Sequence, residues 1–423
     1  MIDPLIITLI ATFVFIAVEF YIFEAIKVTF KNVAKPWRKA IYTVYWVFSI
    51  SCILLYLVYR FAIPTILPSA FRTPIIVLLF INYFSKSFGL VFLIIDDLIR
   101  LFKWIYHTLL SFNKNKTSPK PTTQKLDTLT RSQFLSRAVI LSTAIPAATM
   151  GFGILSGAHN YRIHRVKIKL ANLPAAFHGI RIVQLSDIHS GSFFNKKAVI
   201  GGVEMVIAEK PDLVFFTGDI VNNRSSELNG YKDIFAKIHA PHGVFASLGN
   251  HDYGDYNSWP SETAKMQNLM DLETAYKQMG WRLLRNENVA IKEGVDELAV
   301  IGVENWGAGR FSKYGDMEVA MQGAEDKPVK LLLSHDPSHW DAQIRPDYKD
   351  IDIAFAGHTH GFQFGVEVGD FKWSPSQYIY KQWAGLYQQG QQYLYVNRGF
   401  GYIGYPGRIG IMPEITVFEL EKS

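Results

Sequence analysis

Arg181-Ile182-Val183-Gln184-Leu185-Ser186-Asp187-Ile188-His189 is the stretch whose reading decides the fold. It opens as a short apolar run of strand type, and two metal-ligating residue types follow at once. The same arrangement recurs four times in order. Residues 213–216 lead to Gly218-Asp219, residues 244–248 to Gly249-Asn250-His251-Asp252, residues 330–333 to Ser334-His335-Asp336, and residues 351–356 to Gly357-His358-Thr359-His360. Five of the twelve histidines fall in these motifs. Side chains just past the C-terminal ends of sheet strands are where open α/β folds build their sites. Five motifs separated in sequence are therefore expected to meet in one cluster, with the ligands a two-metal hydrolase needs.

Between and beyond these runs, helix-like and strand-like stretches alternate. Helical periodicity covers residues 196–209, 227–239, 261–280 and 317–324, and further strand-like runs lie at 281–285, 289–292, 297–303, 362–366, 393–396 and 415–420. This mixture predicts two packed sheets covered by helices, an α/β/β/α sandwich over residues 160–423. A domain of about 260 residues buries a sizeable core without disulfides or structural metals.

The first third is of another kind. Residues 1–160 carry 16 Lys+Arg against 6 Asp+Glu, whereas residues 161–423 carry 27 against 31. The basic excess flanks apolar runs, so it reads as membrane-flanking charge rather than as a nucleic-acid surface. Residues 4–23, broken only by Glu19, and residues 41–59 are each near the roughly 20 needed to span a bilayer. A third run at 74–95 contains Lys86, and 98–112 reads as an amphipathic segment at the membrane surface. The expected organisation is a multi-span region over 1–112, a polar linker over 113–133, and a fourth helix over 134–157. Arg131-Ser132-Gln133-Phe134-Leu135 resembles a degraded twin-arginine export signal; an ordinary span with a basic flank explains it more simply. Successive loops hold five, two and eight basic residues. Positive loops stay inside, which predicts a multi-pass protein of the bacterial cytoplasmic membrane with its C-terminal domain outside. Arg162, Arg165, Lys167 and Lys169 oppose that count and are read as the exposed face of a strand. The single cysteine, Cys52, permits no internal disulfide and decides no compartment.

The motif residues define a chemistry. Asp219 offers two oxygens to bridge two cations. Asp187 and His189, two apart, project to one side of an extended segment, as do His358 and His360. Asn250 adds a neutral carbonyl oxygen. Imidazole and carboxylate without thiolate suit zinc, manganese or iron. Two such ions can hold a hydroxide and both ends of an in-line displacement at phosphorus. His251 is placed to protonate a leaving group, with Asp252 orienting or polarising it. Histidines outside the motifs, such as His164, His239, His242 and His339, read as packed or solvated residues.

The ordered set D-x-H, G-D, G-N-H-D, S-H and G-H-T-H resembles the calcineurin-like metallophosphoesterase family over about residues 180–405, in particular its membrane-associated bacterial YkuE/YaeI-like branch. That resemblance implies one metal on Asp187, His189, Asp219 and His360, a second on Asp219, Asn250, His335 and His358, and His251 on the phosphate and leaving group. Asn397-Arg398-Gly399-Phe400-Gly401, Arg408 and Pro413-Glu414 are similar to the same branch. Gly361-Phe362-Gln363 departs from its frequent Gly-Gly-Gln and puts a bulky ring at the substrate entrance. The expected activity is hydrolysis of phosphomono- or diesters, membrane-associated and lipid-linked ones included. The alternatives are a UDP-2,3-diacylglucosamine pyrophosphatase, which needs a cytoplasmic nucleotide, and an inactive membrane scaffold, which would have lost ligands.

Overall fold

A computed structural model describes residues 3–61, 69–111, 131–369 and 371–423. The chain divides into two compact units, Met1–Gly151 and Phe152–Ser423. Most of the expected polar linker, residues 113–130, lies outside the described residues.

The first unit is helical. Its helices are α1 (Pro4–Thr29), α2 (Lys35–Phe61), α3 (Ser69–Ser111) and the start of α4 (Arg131–Leu155). Among the described residues, these four are long and apolar enough to cross a membrane. The third apolar run and the expected surface segment form one uninterrupted helix of 43 residues. At 1.5 Å per residue it is about twice as long as a bilayer's hydrocarbon core is thick. No proline follows Pro74 in it, so nothing in the sequence stops the helix where its apolar run ends. Glu19 and Lys86 explain each other. Glu19 is fully buried and accepts from Lys86 Nζ (2.6 Å), Tyr45 Oη (2.6 Å) and Ser49 Oγ (2.5 Å), which join α1, α2 and α3. A charge inside a span is costly unless paired, and here every oxygen is engaged.

The second unit is built from two six-stranded sheets. Its strands are β1 (Arg162–Leu170), β2 (Arg181–Leu185), β3 (Leu213–Thr217), β4 (Val244–Ser247), β5 (Arg282–Leu283), β6 (Glu287–Glu293), β7 (Asp296–Gly302), β8 (Lys330–Leu333), β9 (Ile353–Ala356), β10 (Val366–Val368), β11 (Phe371–Trp373), β12 (Gly385–Gln389), β13 (Gln392–Val396) and β14 (Glu414–Lys422). One sheet runs β1-β14-β2-β3-β4-β5 and the other β12-β13-β9-β8-β7-β6, while β10 and β11 form a separate hairpin. The alternation of side chains decides the layers. Leu213 and Phe215 join Ile182, Leu331, Phe355 and Phe418 between the sheets, and the Phe215 and Phe355 rings meet edge-on at 5.0 Å. Val214 and Phe216 face the other way, into a core shared with the helix Glu262–Gln278. The exposed face of β1 carries Arg165, Lys167 and Lys169 as expected, whereas Arg162 is exposed at the start of the strand on the opposite face.

Two expected elements differ. Residues 227–239 hold only a short turn at Ser225–Leu228 and a single helical turn at Lys232–Phe235, because Gly230 between them takes a left-handed φ of 86°. Residues 362–366 are not a strand. A tight turn at His360–Gln363 leads into β10 instead, and Gly361, Phe362 and Gln363 all have positive φ.

One buried ion pair ties the end of the chain to the sheets. Glu414, fully buried at the start of β14, accepts from Arg398 Nη1 (2.6 Å), the Arg398 backbone N–H (3.1 Å) and Tyr395 Oη (2.7 Å). Burial alone would raise its carboxyl, but Arg398, with His164 and the Thr416 hydroxyl, outweighs burial and holds it down at about 2. A depressed acid contributes stability above its unfolded value and loses it as pH falls through the folded one. Glu414→Gln is expected to cost about 3 kcal/mol at pH 7. The deficit against wild type should shrink as pH drops from 4.5 towards 2, read as urea-unfolding midpoints of the two proteins.

Candidate metal centre

All five motifs stand at the C-terminal ends of strands, three in the first sheet (β2, β3, β4) and two in the second (β8, β9). Gln184 holds these ends together: its amide donates to Thr217 Oγ1 (3.0 Å) in its own sheet and to the Ala356 carbonyl (2.9 Å) in the other.

The backbone at the cluster is strained. Asp187 (φ 51°), His189 (48°), Asp219 (60°), His358 (70°) and His360 (50°) all lie in the left-handed region. For residues with a Cβ this costs about 1–2 kcal/mol each, and such strain collects at functional sites. Gly218 precedes Asp219 at a φ of 91°, where a Cβ would also lie 2.5 Å from the Gly249 nitrogen. Asp252 holds the strained turns. Its carboxylate accepts from the backbone N–H of Asp219 (2.8 Å), Ile220 (2.9 Å), Val221 (3.3 Å) and Gly249 (2.9 Å). This corrects the expectation that Asp252 polarises His251: its oxygens are spent on backbone amides, and it braces the loops that carry Asp219 and Asn250.

Two groups of donors converge. Asp187, His189 and His360 each offer an atom within 4.8 Å of the others', and so do Asp219, His335 and His358. Asp219 Oδ2 lies between the groups, 3.5 Å from His189 Nε2 and 3.2 Å from His335 Nε2. His189 Nε2 and His360 Nε2 face each other at 3.0 Å, and His360 Nε2 is 3.2 Å from Asp187 Oδ1. Asn250 Oδ1 sits 3.2 Å from His335 Nε2, while its amide nitrogen donates outward to Tyr256 Oη (2.9 Å).

The outer nitrogens decide what the inner ones can do. His189 Nδ1–H donates to Asn222 Oδ1 (3.1 Å), and His335 Nδ1–H to the Thr217 carbonyl (2.6 Å). His358 turns its Nε2 to Tyr380 Oη (2.8 Å) and its Nδ1 to His335 (3.2 Å). An imidazole whose outer N–H is fixed by an acceptor presents a lone pair on its inner nitrogen, the form that binds metal. His251 follows the same rule: its Nδ1–H donates to the Asn222 carbonyl (2.8 Å), and its backbone N–H donates to Asp219 Oδ1 (2.9 Å).

The electrostatics favour a cation. Burial is the largest single influence on Asp187 and would raise it, but the interactions with His360 and His335 together hold the carboxyl far below the usual range. Burial likewise opposes ionisation of Asp219, and His335, His251 and His189 together override it. Burial drives His189 down to about 3. It would lower His335 too, yet the Asp219 carboxylate pushes that imidazole up to about 10. Two buried carboxylates thus demand positive charge, and a proton on His335 meets part of it. A divalent ion binds such a set by displacing that proton, so the donors fit two divalent ions.

Among the domain's aromatic residues, Tyr380 reaches the cluster, while Trp383 is buried, Trp259 donates to the Gly254 carbonyl and Trp306 lies against the His339 ring. Phe311 and Tyr256 also stand at the cluster, with rings 4.8 Å from His358 and 4.7 Å from His251. Asp336 caps the following turn through the Ser338 N–H (2.8 Å). Asn222 and Arg408 were not foreseen in these roles. Asn222 serves two histidines from three residues beyond Asp219. Arg408 is fully buried, donates to the Arg398 and Gly401 carbonyls and lies 3.2 Å from His360 Nδ1.

Comparison with known proteins agrees with this geometry. Residues 4–158 match the family described as "Probable Calcineurin-like phosphoesterase, transmembrane domain", and residues 180–362 match "Calcineurin-like phosphoesterase". The chain is 29% identical to "Uncharacterized metallophosphoesterase YkuE" of Bacillus subtilis over 70% of its own length and 99% of that protein's. It is 28% identical to "Transmembrane protein with metallophosphoesterase domain" of Danio rerio over 68% of its length, and spans 63% of that protein. It is 26% identical to "UDP-2,3-diacylglucosamine pyrophosphatase LpxG" of Chlamydia muridarum over 57% of its length and 83% of that protein's. A four-helix transmembrane region followed by a two-sheet domain with clustered ligands therefore places this chain among the calcineurin-like metallophosphoesterases, as a membrane-bound phosphoester hydrolase.

Proposed function

We propose that the chain hydrolyses phosphomono- or diesters at a membrane with two divalent ions. Asp187, His189, Asp219 and His360 would hold one ion, and Asp219, Asn250, His335 and His358 the other. The observation that carries this reading is the convergence of the donors, with His189, Asn250, His335 and His358 each fixed from outside by a hydrogen bond. Bound ions of this kind lower the pKa of a water from 15.7 to about 7 and so supply the nucleophile. His251 anchors its Nδ1–H on the Asn222 carbonyl, which turns Nε2 inward, and in its doubly protonated form the ring would pass the Nε2 proton to the departing oxygen. All seven ligands and His251 are present, which argues against an inactive scaffold.

The transmembrane region supports a substrate in or next to the bilayer, lipid-linked esters included. The loop charges support a domain outside the cytoplasm of a bacterial cell. Likeness to the chlamydial enzyme supports a second reading, cleavage of a UDP-linked acylated sugar, which needs the domain inside where the nucleotide is.

Three outcomes are expected. Purified protein should hold close to two divalent ions per chain by elemental analysis, and Asp219→Asn should lose metal and nearly all activity; a metal-free preparation with full activity ends the proposal. His251→Gln should keep its metal yet lose about 10²–10⁴ in turnover, and less for esters with a nitrophenolate leaving group. Loss of metal with an equal fall for every leaving group would reject that role. A reporter active only outside the cytoplasm, fused after Ser423, should give signal; signal from a cytoplasm-only reporter instead favours the UDP-linked substrate.

A further inference from the structure

The hairpin beside the metal centre has its polarity turned inside out. β10 and β11 pair Val366 with Trp373, Glu367 with Lys372, and Val368 with Phe371. Paired residues share a face and successive residues alternate. Val366, Val368, Phe371 and Trp373 therefore make one face, and Glu367 and Lys372 the other. In a water-soluble antiparallel pair the apolar face packs on the core. Here the charged face does. Glu367 accepts from the buried Arg398 (2.6 Å), and Lys372 Nζ donates to the Ala384 carbonyl. The apolar face is left outside, with Val368 71% and Phe371 63% exposed. The pattern runs back towards His360: Phe362, Phe364 and Val366 are exposed, while Gly361, Gln363 and Gly365 between them are buried. An apolar surface of this kind on a folded domain marks a contact.

What covers it follows from its neighbours in the same compact unit. Ile409 N–H donates to the Gln363 carbonyl (2.8 Å), and Gly365 N–H donates to the Ile409 carbonyl (2.9 Å). The adjoining Arg408 N–H donates to the carbonyl of Gly153, on the last turns of α4 (3.2 Å). A Cβ at Gly153 would stand 2.9 Å from Ile409, so this helix end and the loop are in close contact. On the same turns Phe152 and Leu155 expose their apolar side chains. One short segment thus joins the end of a membrane-crossing helix to the inverted hairpin.

We propose that Phe362, Phe364, Val366, Val368 and Phe371 insert into the lipid leaflet from which α4 emerges, so that the bilayer itself is the partner of this face. Glu367 and Lys372 stay on the protein side, and the strand pairing satisfies the backbone groups that β10 and β11 turn towards each other. Phe362, two residues past His360, lies at the junction of leaflet and metal centre. Resting on the phosphoesterase reading, the substrate class is then an amphiphile, a phosphoester whose acyl chains remain in that leaflet while its head reaches the centre.

The test uses the full chain with Cys52→Ser, reconstituted in phosphatidylethanolamine–phosphatidylglycerol vesicles, with a fluorophore on Val368→Cys or on the exposed Val295→Cys. Lipids bearing a nitroxide high on the acyl chain should quench the Val368 label and spare the Val295 label. Equal quenching at both positions overturns the proposal. So does shielding of the Val368 label that follows protein concentration rather than lipid, which would mean a second copy of the chain. Independently, Val368→Lys with Phe371→Lys should slow hydrolysis of a vesicle-embedded phospholipid ester about tenfold and change hydrolysis of soluble nitrophenyl phosphate esters by less than about twofold. Equal rates for variant and wild type on the embedded ester overturn the substrate class. A quenched wild type that cleaves neither ester overturns the phosphoesterase reading and leaves the docking surface standing.

Discussion

Two carboxylates, Asp187 and Asp219, are buried side by side where five strands end, and the rest of the domain is arranged around that fact. Neither can stay charged in such a place without positive charge close by. The histidines supply partners, and their outer nitrogens are tied to Asn222, Thr217 and Tyr380 so that the inner ones converge. The cost of this arrangement shows in the backbone, where Asp187, His189, Asp219, His358 and His360 take left-handed φ values. Asp252 and Gln184, neither of them a ligand, hold the strained turns and the two sheets in register.

The same logic of paired charge operates in the helical unit and at the C-terminus. Glu19 and Lys86 are tolerable among apolar helices because each meets the other. Arg398 spans Glu414 and Glu367 and so links the last strand to the hairpin next to the centre. The hairpin's charges are thereby drawn inward, and its apolar side chains have only the outside left. Within this unit the hairpin, the Arg408–Ile409 segment and the turn at His360–Gln363 are consequently neighbours.

Much of the centre was legible along the chain because each ligand follows a strand directly. A short apolar run followed by Asp or His is a local signal, and five in order are hard to produce otherwise. The layers were legible for a similar reason, since alternation within β3 sends Phe215 and Phe216 to different cores. Asn222 and Tyr380 were not legible in their roles. An asparagine in a loop and a tyrosine twenty residues beyond His360 carry no local mark of the nitrogen they will meet. The task of Asp252 was misread for the same reason: standing next to His251 in sequence suggests a partnership, but the turn sends its carboxylate to backbone amides instead.

By itself the sequence determined the kinds of residue available, the strand ends that carry them, and the apolar lengths that cross a membrane, because these depend on composition and short-range periodicity. Tertiary structure alone decided which nitrogen of each histidine faces inward, that Glu19 and Lys86 neutralise each other, and that residues 98–111 continue the third helix without a break. It also decided which face of the hairpin is exposed. Alternation along β10 and β11 defines two faces equally well, and only Arg398 and the Ala384 carbonyl, supplied by distant parts of the chain, choose the charged one for the interior.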